Sequence, residues 1–215
     1  MTPQEHQDLV KGCSGIGLSL DPATVGRLER FIDLLDVWNR RLRLTGDRDR
    51  RVLVAKHVVD SMAVVPDLPV AGTVVDLGSG AGFPGIVLGC ARPDLVLRLV
   101  EPRRRATSFL SEAIRTIPLP AARALELRGE HAAGEPSLAG RTELVVSRAL
   151  RLDLLLSLAS PLLAPHGVVV AMHTPSLAEA RTRELASQQG LELRRVRDYG
   201  LPGGALRRIL VFGRS

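Results

Sequence analysis

The hydrophobic positions of this chain change period once, near residue 70. Before that point they recur at helical spacing. Val25, Leu28, Ile32, Leu35, Trp38 and Leu42 fall on one face of a helix that Asp21 can cap and whose first turn accommodates Pro22. After a turn at Thr45-Gly46-Asp47, a second helix is predicted over 49–65, with Val54, Val58, Met62 and Val65 as its buried face and Pro66 as its stop. Residues 1–20 are dotted with glycine and support one short helix. From residue 73 short apolar runs alternate with helical stretches. Strands are expected at 73–77, 96–101, 124–128, 143–147 and 168–172, with helices near 84–91, 103–116, 152–163 and 176–188, an alternation that implies an α/β fold with a parallel sheet. The last two runs, 191–197 and 206–212, are joined by a connection too short for a crossover helix, so they are expected to form an antiparallel hairpin at the sheet edge. Residues 133–140 are the only stretch that reads as a long loop.

The first strand carries the chemistry. Val74-Val75-Asp76-Leu77 runs into Gly78-Ser79-Gly80-Ala81-Gly82-Phe83-Pro84-Gly85, where glycines let the backbone turn sharply and approach a ligand. Gly80 to Gly85 also satisfies the dinucleotide pattern G-x-G-x-x-G, so NAD or flavin stands as one reading. Asp76 favours another, because a carboxylate beside the glycines repels a diphosphate and attracts the ammonium of a methionine moiety. S-adenosylmethionine carries that ammonium. Glu101, at the end of the next strand, can accept hydrogen bonds from both ribose hydroxyls of such a ligand. A parallel sheet ending in an antiparallel edge hairpin is the shape of class I SAM-dependent methyltransferases, a Rossmann-like fold. Here it is expected over 71–215, after an N-terminal helical extension over 1–70.

Composition narrows the partners. The 215 residues carry a net charge of +6, and Lys11 and Lys56 are the only lysines, so the basic surface is arginine. Such a surface suits a polyanion, with clusters at Arg40, Arg41, Arg43, Arg48, Arg50 and Arg51, at Arg194, Arg195 and Arg197, and at Arg207 and Arg208. Cys13 and Cys90 form no C-x-x-C pair, so neither a disulfide framework nor a thiolate metal site is expected. His57 and Asp60 share a helix face, but two ligands do not make a metal site, and a loop-holding hydrogen bond is the simpler expectation. No apolar run approaches the length of a membrane span and no signal segment opens the chain, which is expected to be cytoplasmic.

Several segments together resemble the bacterial small-subunit ribosomal RNA guanine-N7 methyltransferases, the RsmG or GidB family. They are Trp38-Asn39 with Leu44-Thr45, Lys56-His57-Val58-Val59-Asp60-Ser61, the loop from Asp76 to Ile86, Arg92-Pro93-Asp94, Glu101, Phe109-Leu110 and Ser147-Arg148-Ala149, in the family's order and spacing. The resemblance implies methyl transfer from S-adenosylmethionine to N7 of a guanine in 16S rRNA, with ribosomal RNA or the small subunit as partner. It implies that Gly78 and Phe83 contact the donor, that Gly129-Glu130 bracket its adenine and that Arg148 lies in the site. With Asp76, Gly80, Gly82 and Glu101 these make up the expected donor-binding set. Lys56, His57, Arg148, His173 and Tyr199 make up the expected substrate-binding set, Tyr199 and Phe83 being the aromatics available to stack on an unstacked guanine. No catalytic acid or base is expected, because guanine N7 already carries its lone pair.

One segment departs from the family. After the fifth strand the family usually shows a lysine-glycine pair, where this chain has His173-Thr174-Pro175. His173 can donate a hydrogen bond to a base or phosphate but is only partly charged near neutrality. This keeps two other readings open: a methyltransferase of the same fold acting on a small molecule or protein, and a non-catalytic RNA-binding or assembly protein that retains the donor pocket.

Overall fold

A computed structural model describes residues 1–176 and 178–214; Leu177 and Ser215, within the expected last helix and domain, lie outside the described residues. Three helices precede the sheet: α1 (Pro3–Gly15), α2 (Pro22–Leu42) and a composite α3, α-helical over Arg50–Val52, π-helical over Leu53–Val58 and α-helical again over Val59–Met62. The alternating region follows as β1 (Thr73–Leu77), α4 (Gly85–Ala91), β2 (Val96–Val100), α5 (Arg104–Thr116), β3 (Arg123–Leu125), β4 (Thr142–Ser147), α6 (Leu152–Ala159), β5 (Leu163–His173), α7 (Glu179–Ser187), β6 (Leu191–Gly200) and β7 (Leu206–Arg214).

The seven strands lie in the order β3-β2-β1-β4-β5-β7-β6. β1 to β5 pair parallel, whereas β7 runs antiparallel between β5 and β6. Alternate strand residues serve two cores. Val74, Leu97, Leu99, Val146 and Val170 face α1 to α5, and Val75, Leu77, Val100, Val145 and Val169 face α6 and α7. Leu9, Leu28, Phe31 and Leu35 from the N-terminal helices join the first of these cores, so the extension and the sheet bury one another. Trp38 packs on Phe109, with ring centroids 5.7 Å apart, as its place on the apolar face of α2 predicted.

Local departures from the sequence reading have local causes. α1 is longer than its weak pattern suggested because Thr2 and Glu5 form a reciprocal capping box. α3 stops at Met62, and Pro66 sits instead in a short 3-10 turn, Val65–Asp67. α6 ends at Ala159, since Pro161 lies in the 3-10 turn Ser160–Leu162 that follows. β5 begins at Leu163 because Gly167 allows close contact with β4, where a Cβ would sit 2.5 Å from the Thr142 carbonyl. The expected long loop, 133–140, opens on the end of a 3-10 segment, Gly129–Gly134, and continues as turns pinned by the fully buried Leu138.

Candidate donor and substrate site

β1 and β4 are neighbours whose connections leave in opposite directions, and ligands of open α/β sheets bind at that switch point. Ser147 pins it shut. Its hydroxyl donates to the Leu77 carbonyl at 2.7 Å and accepts from the Ala149 and Leu150 amides at 3.3 Å. Above the pin, Leu44, Thr45, Gly78, Ser79, Gly80, Ala81, Phe83, Arg148 and Ala149 line a cavity of about 260 Å³. Gly78 and Gly80 hold φ of 78° and 55°, backbone that side-chain-bearing residues rarely adopt. Gly82, also in the expected donor set, turns inward: a Cβ there would press 2.8 Å from Ile86 and 3.2 Å from Phe31.

Asp76 lies beneath this turn, fully buried. Its Oδ2 accepts from the Gly85 amide at 2.9 Å, while Oδ1 is buried without a partner. Burial pushes its pKa up to about 7 against the pull of the Gly85 amide and Arg148. Gly85 is what lets α4 approach the carboxylate, because a Cβ there would collide with Leu99 and lie 2.6 Å from Asp76 Oδ2. Gly85→Ala is therefore expected to cost about 2–4 kcal/mol of stability by overpacking, read as a lower denaturation midpoint.

Glu101, at the end of β2, is 3% exposed and already engaged. Oε2 accepts from the Gly80 amide at 2.9 Å, and Oε1 accepts from the Arg103 amide at 3.0 Å and its Nε at 2.8 Å. Gly129 and Glu130 open the 3-10 segment beyond β3 and line neither cavity at the switch point; Gly129 faces Leu158 instead.

A second cavity, about 320 Å³, adjoins the first through Arg148 and is lined by Lys56, His57, Asp60, Met172, His173, Thr174 and Arg207. Lys56 and His57 project from the π-helical stretch of α3, a distortion often found at functional sites. Both bond Asp47 Oδ2, at 2.9 and 2.7 Å, which tethers the loop carrying Leu44 and Thr45 and holds the Asp47 carboxyl below its usual range. Asn39 tightens the same loop through the Asp47 carbonyl and the Thr45 amide. Phe83 stacks on His57 with centroids 5.1 Å apart and carries the Arg148 guanidinium 5.2 Å from its ring centre. It thus forms a wall rather than an open stacking face. Burial lowers the pKa of His173, which leaves Nε2 without a partner and shifts the imidazole further toward its neutral form than the sequence suggested.

The sequence points to a loop-holding hydrogen bond for His57 and Asp60; it is His57 that ties down the loop, through Asp47, while Asp60 organises this cavity. The carboxylate is 3% exposed and accepts from Tyr199 at 2.6 Å and Arg148 at 3.3 Å, with Arg207 at 3.8 Å. Tyr199 is 9% exposed, so its ring offers no open face to a base, and its hydroxyl positions Asp60 instead. Tyr199→Phe leaves a buried carboxylate short of a donor. We expect a loss of about 1–3 kcal/mol, measurable by urea denaturation, without a change in donor affinity.

Most arginines named in the sequence are spent on carboxylates. Arg40 pairs with Asp36, Arg50 with Glu5 and Asp33, Arg51 with Asp8, Arg194 with Glu192, Arg195 and Arg197 with Asp67, and Arg208 with Asp198. Among the described residues no helix is long and apolar enough to cross a membrane.

Comparison with known proteins agrees with this geometry. The rRNA small subunit methyltransferase G family (GidB) matches residues 25–197. The ribosomal RNA small subunit methyltransferase G of Anaeromyxobacter sp. (strain Fw109-5) is 37% identical over 205 residues, spanning 94% of each chain. That of Myxococcus xanthus (strain DK1622) is 35% identical over 215 residues, spanning 98% of this chain and 97% of its own. Among solved structures, M. jannaschii TYW2 in complex with AdoMet superposes with a TM-score of 0.58 at 15% identity, covering 74% of this chain and 76% of its own. The mitomycin 7-O-methyltransferase MmcR gives 0.60 at 18% identity, covering 86% and 60%. These two likenesses establish the class I methyltransferase fold, and the sequence matches establish the lineage. The chain belongs to the rRNA small subunit methyltransferase G (GidB) family.

Proposed function

We propose that this protein is a SAM-dependent methyltransferase that methylates N7 of a guanine in 16S ribosomal RNA, in the cytoplasm. The observation that carries the reading is the pair of adjoining cavities sharing Arg148, one floored by the glycine turn and one walled by Lys56, His57, His173 and Arg207. The residues fit the donor. Gly78 and Gly80 leave room where a Cβ would intrude, and the unpartnered Asp76 oxygen beneath them is open to the donor's ammonium, whose charge would draw the buried carboxyl into its ionised form. When bound, S-adenosylmethionine supplies an electrophilic methyl on a sulfonium.

The chain's own residues then have five tasks. Asp76, Gly78, Gly80 and Phe83 hold the methionine side, and Glu101 takes the ribose hydroxyls. Gly129 and Glu130, outside both cavities, are assigned to the adenine only if it reaches past Glu101 toward the end of β3. Arg148, held by Asp60 and Phe83, fixes the boundary between the two ligands. Lys56, His57 and His173 orient the base, while Tyr199 acts on it only through Asp60. Guanine N7 is exposed on the major-groove edge with its lone pair free, so no residue is asked to remove a proton from it. Orientation supplies the acceleration, and for it N7 must be held in line within about 3–3.5 Å of the methyl carbon. Burial shifts the His57 and His173 imidazoles toward their neutral form, which suits a pocket in which the base becomes cationic on methylation. Residues 1–70 serve as an extension that closes the substrate side of 71–215.

The substrate class is tested by incubating the protein with labelled donor and a lysate of cells lacking it, then separating 16S rRNA, 23S rRNA, protein and metabolites. Label in 16S rRNA alone is expected. Label confined to protein or metabolites overturns the reading.

A further inference from the structure

α5 begins with three arginines. Arg103 stands at the N-cap and Arg104 and Arg105 in the first turn, with no acid there, against the preference of the helix dipole for negative charge at that end. Unlike the paired arginines above, Arg104 and Arg105 are exposed and have no ion-pair or hydrogen-bond partner among the described residues. Their charge does nothing for the fold. Arg41, on α2, is likewise exposed and unpaired.

The helix ends that carry them border the same cavity. α2 runs toward the donor cavity, since the loop after it supplies Leu44 and Thr45 to the lining, and α5 runs away from it, starting just after Glu101. The helices meet where Trp38 packs on Phe109. Arg41 lies one turn beyond Trp38 and Arg105 one turn before Phe109, both displaced toward the cavity. Unpaired like charges on neighbouring helix ends raise the local positive potential and favour a polyanion there.

Arg103 ties this rim to the donor site. Its Nε and amide both bond Glu101 Oε1, and its Nη2 comes within 3.5 Å of where a Cβ on Gly80 would sit, so it bridges the glycine turn and covers the carboxylate. The side chain is 64% exposed and free to leave.

We propose that Arg41, Arg103, Arg104 and Arg105 form the seat of the RNA sugar–phosphate backbone, with Arg103 passing from Glu101 to a phosphate when RNA docks. The proposal rests on the rRNA reading above and names the surface that grips the RNA. Arg104 and Arg105 contribute affinity without sequence readout. Arg103 uncovers the carboxylate that the ribose needs, so RNA docking strengthens donor binding and, by linkage, donor binding strengthens RNA docking.

The test uses the full-length protein, unmodified small ribosomal subunits and S-adenosylhomocysteine, which has no methyl to transfer. Arg104→Ala/Arg105→Ala relieves helix-dipole repulsion and should fold normally. It is expected to weaken subunit binding about 10-fold and to flatten the log affinity against log salt slope by roughly 1.5, with S-adenosylhomocysteine affinity unchanged. Arg103→Ala is expected to bind S-adenosylhomocysteine several-fold more tightly without RNA and to lose the further tightening that subunits give the wild type. Unchanged subunit affinity and salt slope in the double variant overturn the seat, as does weaker S-adenosylhomocysteine binding by Arg103→Ala. If the wild type itself shows no salt-dependent subunit binding, the rRNA reading fails and the seat fails with it. Wild-type binding that the variants leave intact defeats the seat alone.

Discussion

Asp76→Asn is expected to uncouple stability from donor binding. The wild-type carboxyl holds its proton to about pH 7 in the fold, whereas an unfolded aspartate releases it near its ordinary value of 3.8. A raised folded-state pKa means that the contribution to stability is intact below pH 4, falls as pH rises from about 4 to 7 and stays low above that. The window corresponds to on the order of 2–4 kcal/mol. Asparagine cannot ionise, and its carbonyl can still accept the Gly85 amide. The difference in Tm between variant and wild type should therefore grow in the variant's favour between pH 5 and pH 8. At pH 8, where the wild-type carboxyl is ionised, the variant should bind S-adenosylmethionine about 10- to 100-fold more weakly, because the negative charge beneath the glycine turn is gone, and the gap should narrow toward pH 5, where the wild-type carboxyl holds its proton. Thermal denaturation at two pH values and donor titration by calorimetry read the two effects separately. A variant that kept wild-type donor affinity at pH 8 would remove Asp76 from the donor site.

Arg148→Ala is expected to have the largest effect on turnover, because Arg148 is the one side chain lining both cavities. Its loss deprives Phe83 of the guanidinium over its ring and leaves Asp60 buried with Tyr199 and the more distant Arg207. We expect kcat/KM for the RNA substrate to fall by about 10²–10³, with both donor Kd and RNA KM rising. Arg148→Lys restores the charge but not the planar fork that meets Asp60 and Phe83 together, so rescue should be partial. Full activity in the lysine variant would show that charge alone matters there. The experiment belongs well below the Tm, since an uncompensated buried carboxylate also costs stability.

How much of this was legible before the structure depends on the range of the interaction. The Asp21 cap, the first strand and the glycine turn are local, and each lies where the sequence put it, whereas the strand expected at 124–128 covers only Arg123–Leu125. Even the edge hairpin followed from the shortness of its connection. The Thr2 to Glu5 capping box was equally local and readable, but it was hidden by the weak apolar pattern around it. The site's polar wiring was not readable, because it joins residues far apart in sequence. Asp60 meets Arg148 across 88 positions and Tyr199 across 139, and nothing in either segment marks the other as its partner. Tyr199 looked like a stacking ring because its burial depends on how the hairpin lies over α3. The arginine clusters looked equivalent because pairing is decided in three dimensions. Arg195 and Arg197 find Asp67, while Arg41 finds no carboxylate among the described residues, and the unpaired Arg104 and Arg105 were not singled out by the sequence at all.

The most direct measurement is the position of the transferred methyl. Unmodified small subunits are incubated with the protein and donor, and their RNA is extracted, reduced with borohydride and cleaved with aniline, which breaks the chain at N7-methylguanine. The two-cavity account predicts one new cleavage in 16S rRNA, at a single guanine, appearing in step with incorporated methyl and absent with the Arg148→Ala protein. Methyl incorporated without any such cleavage, or no incorporation despite measurable donor binding, would contradict it.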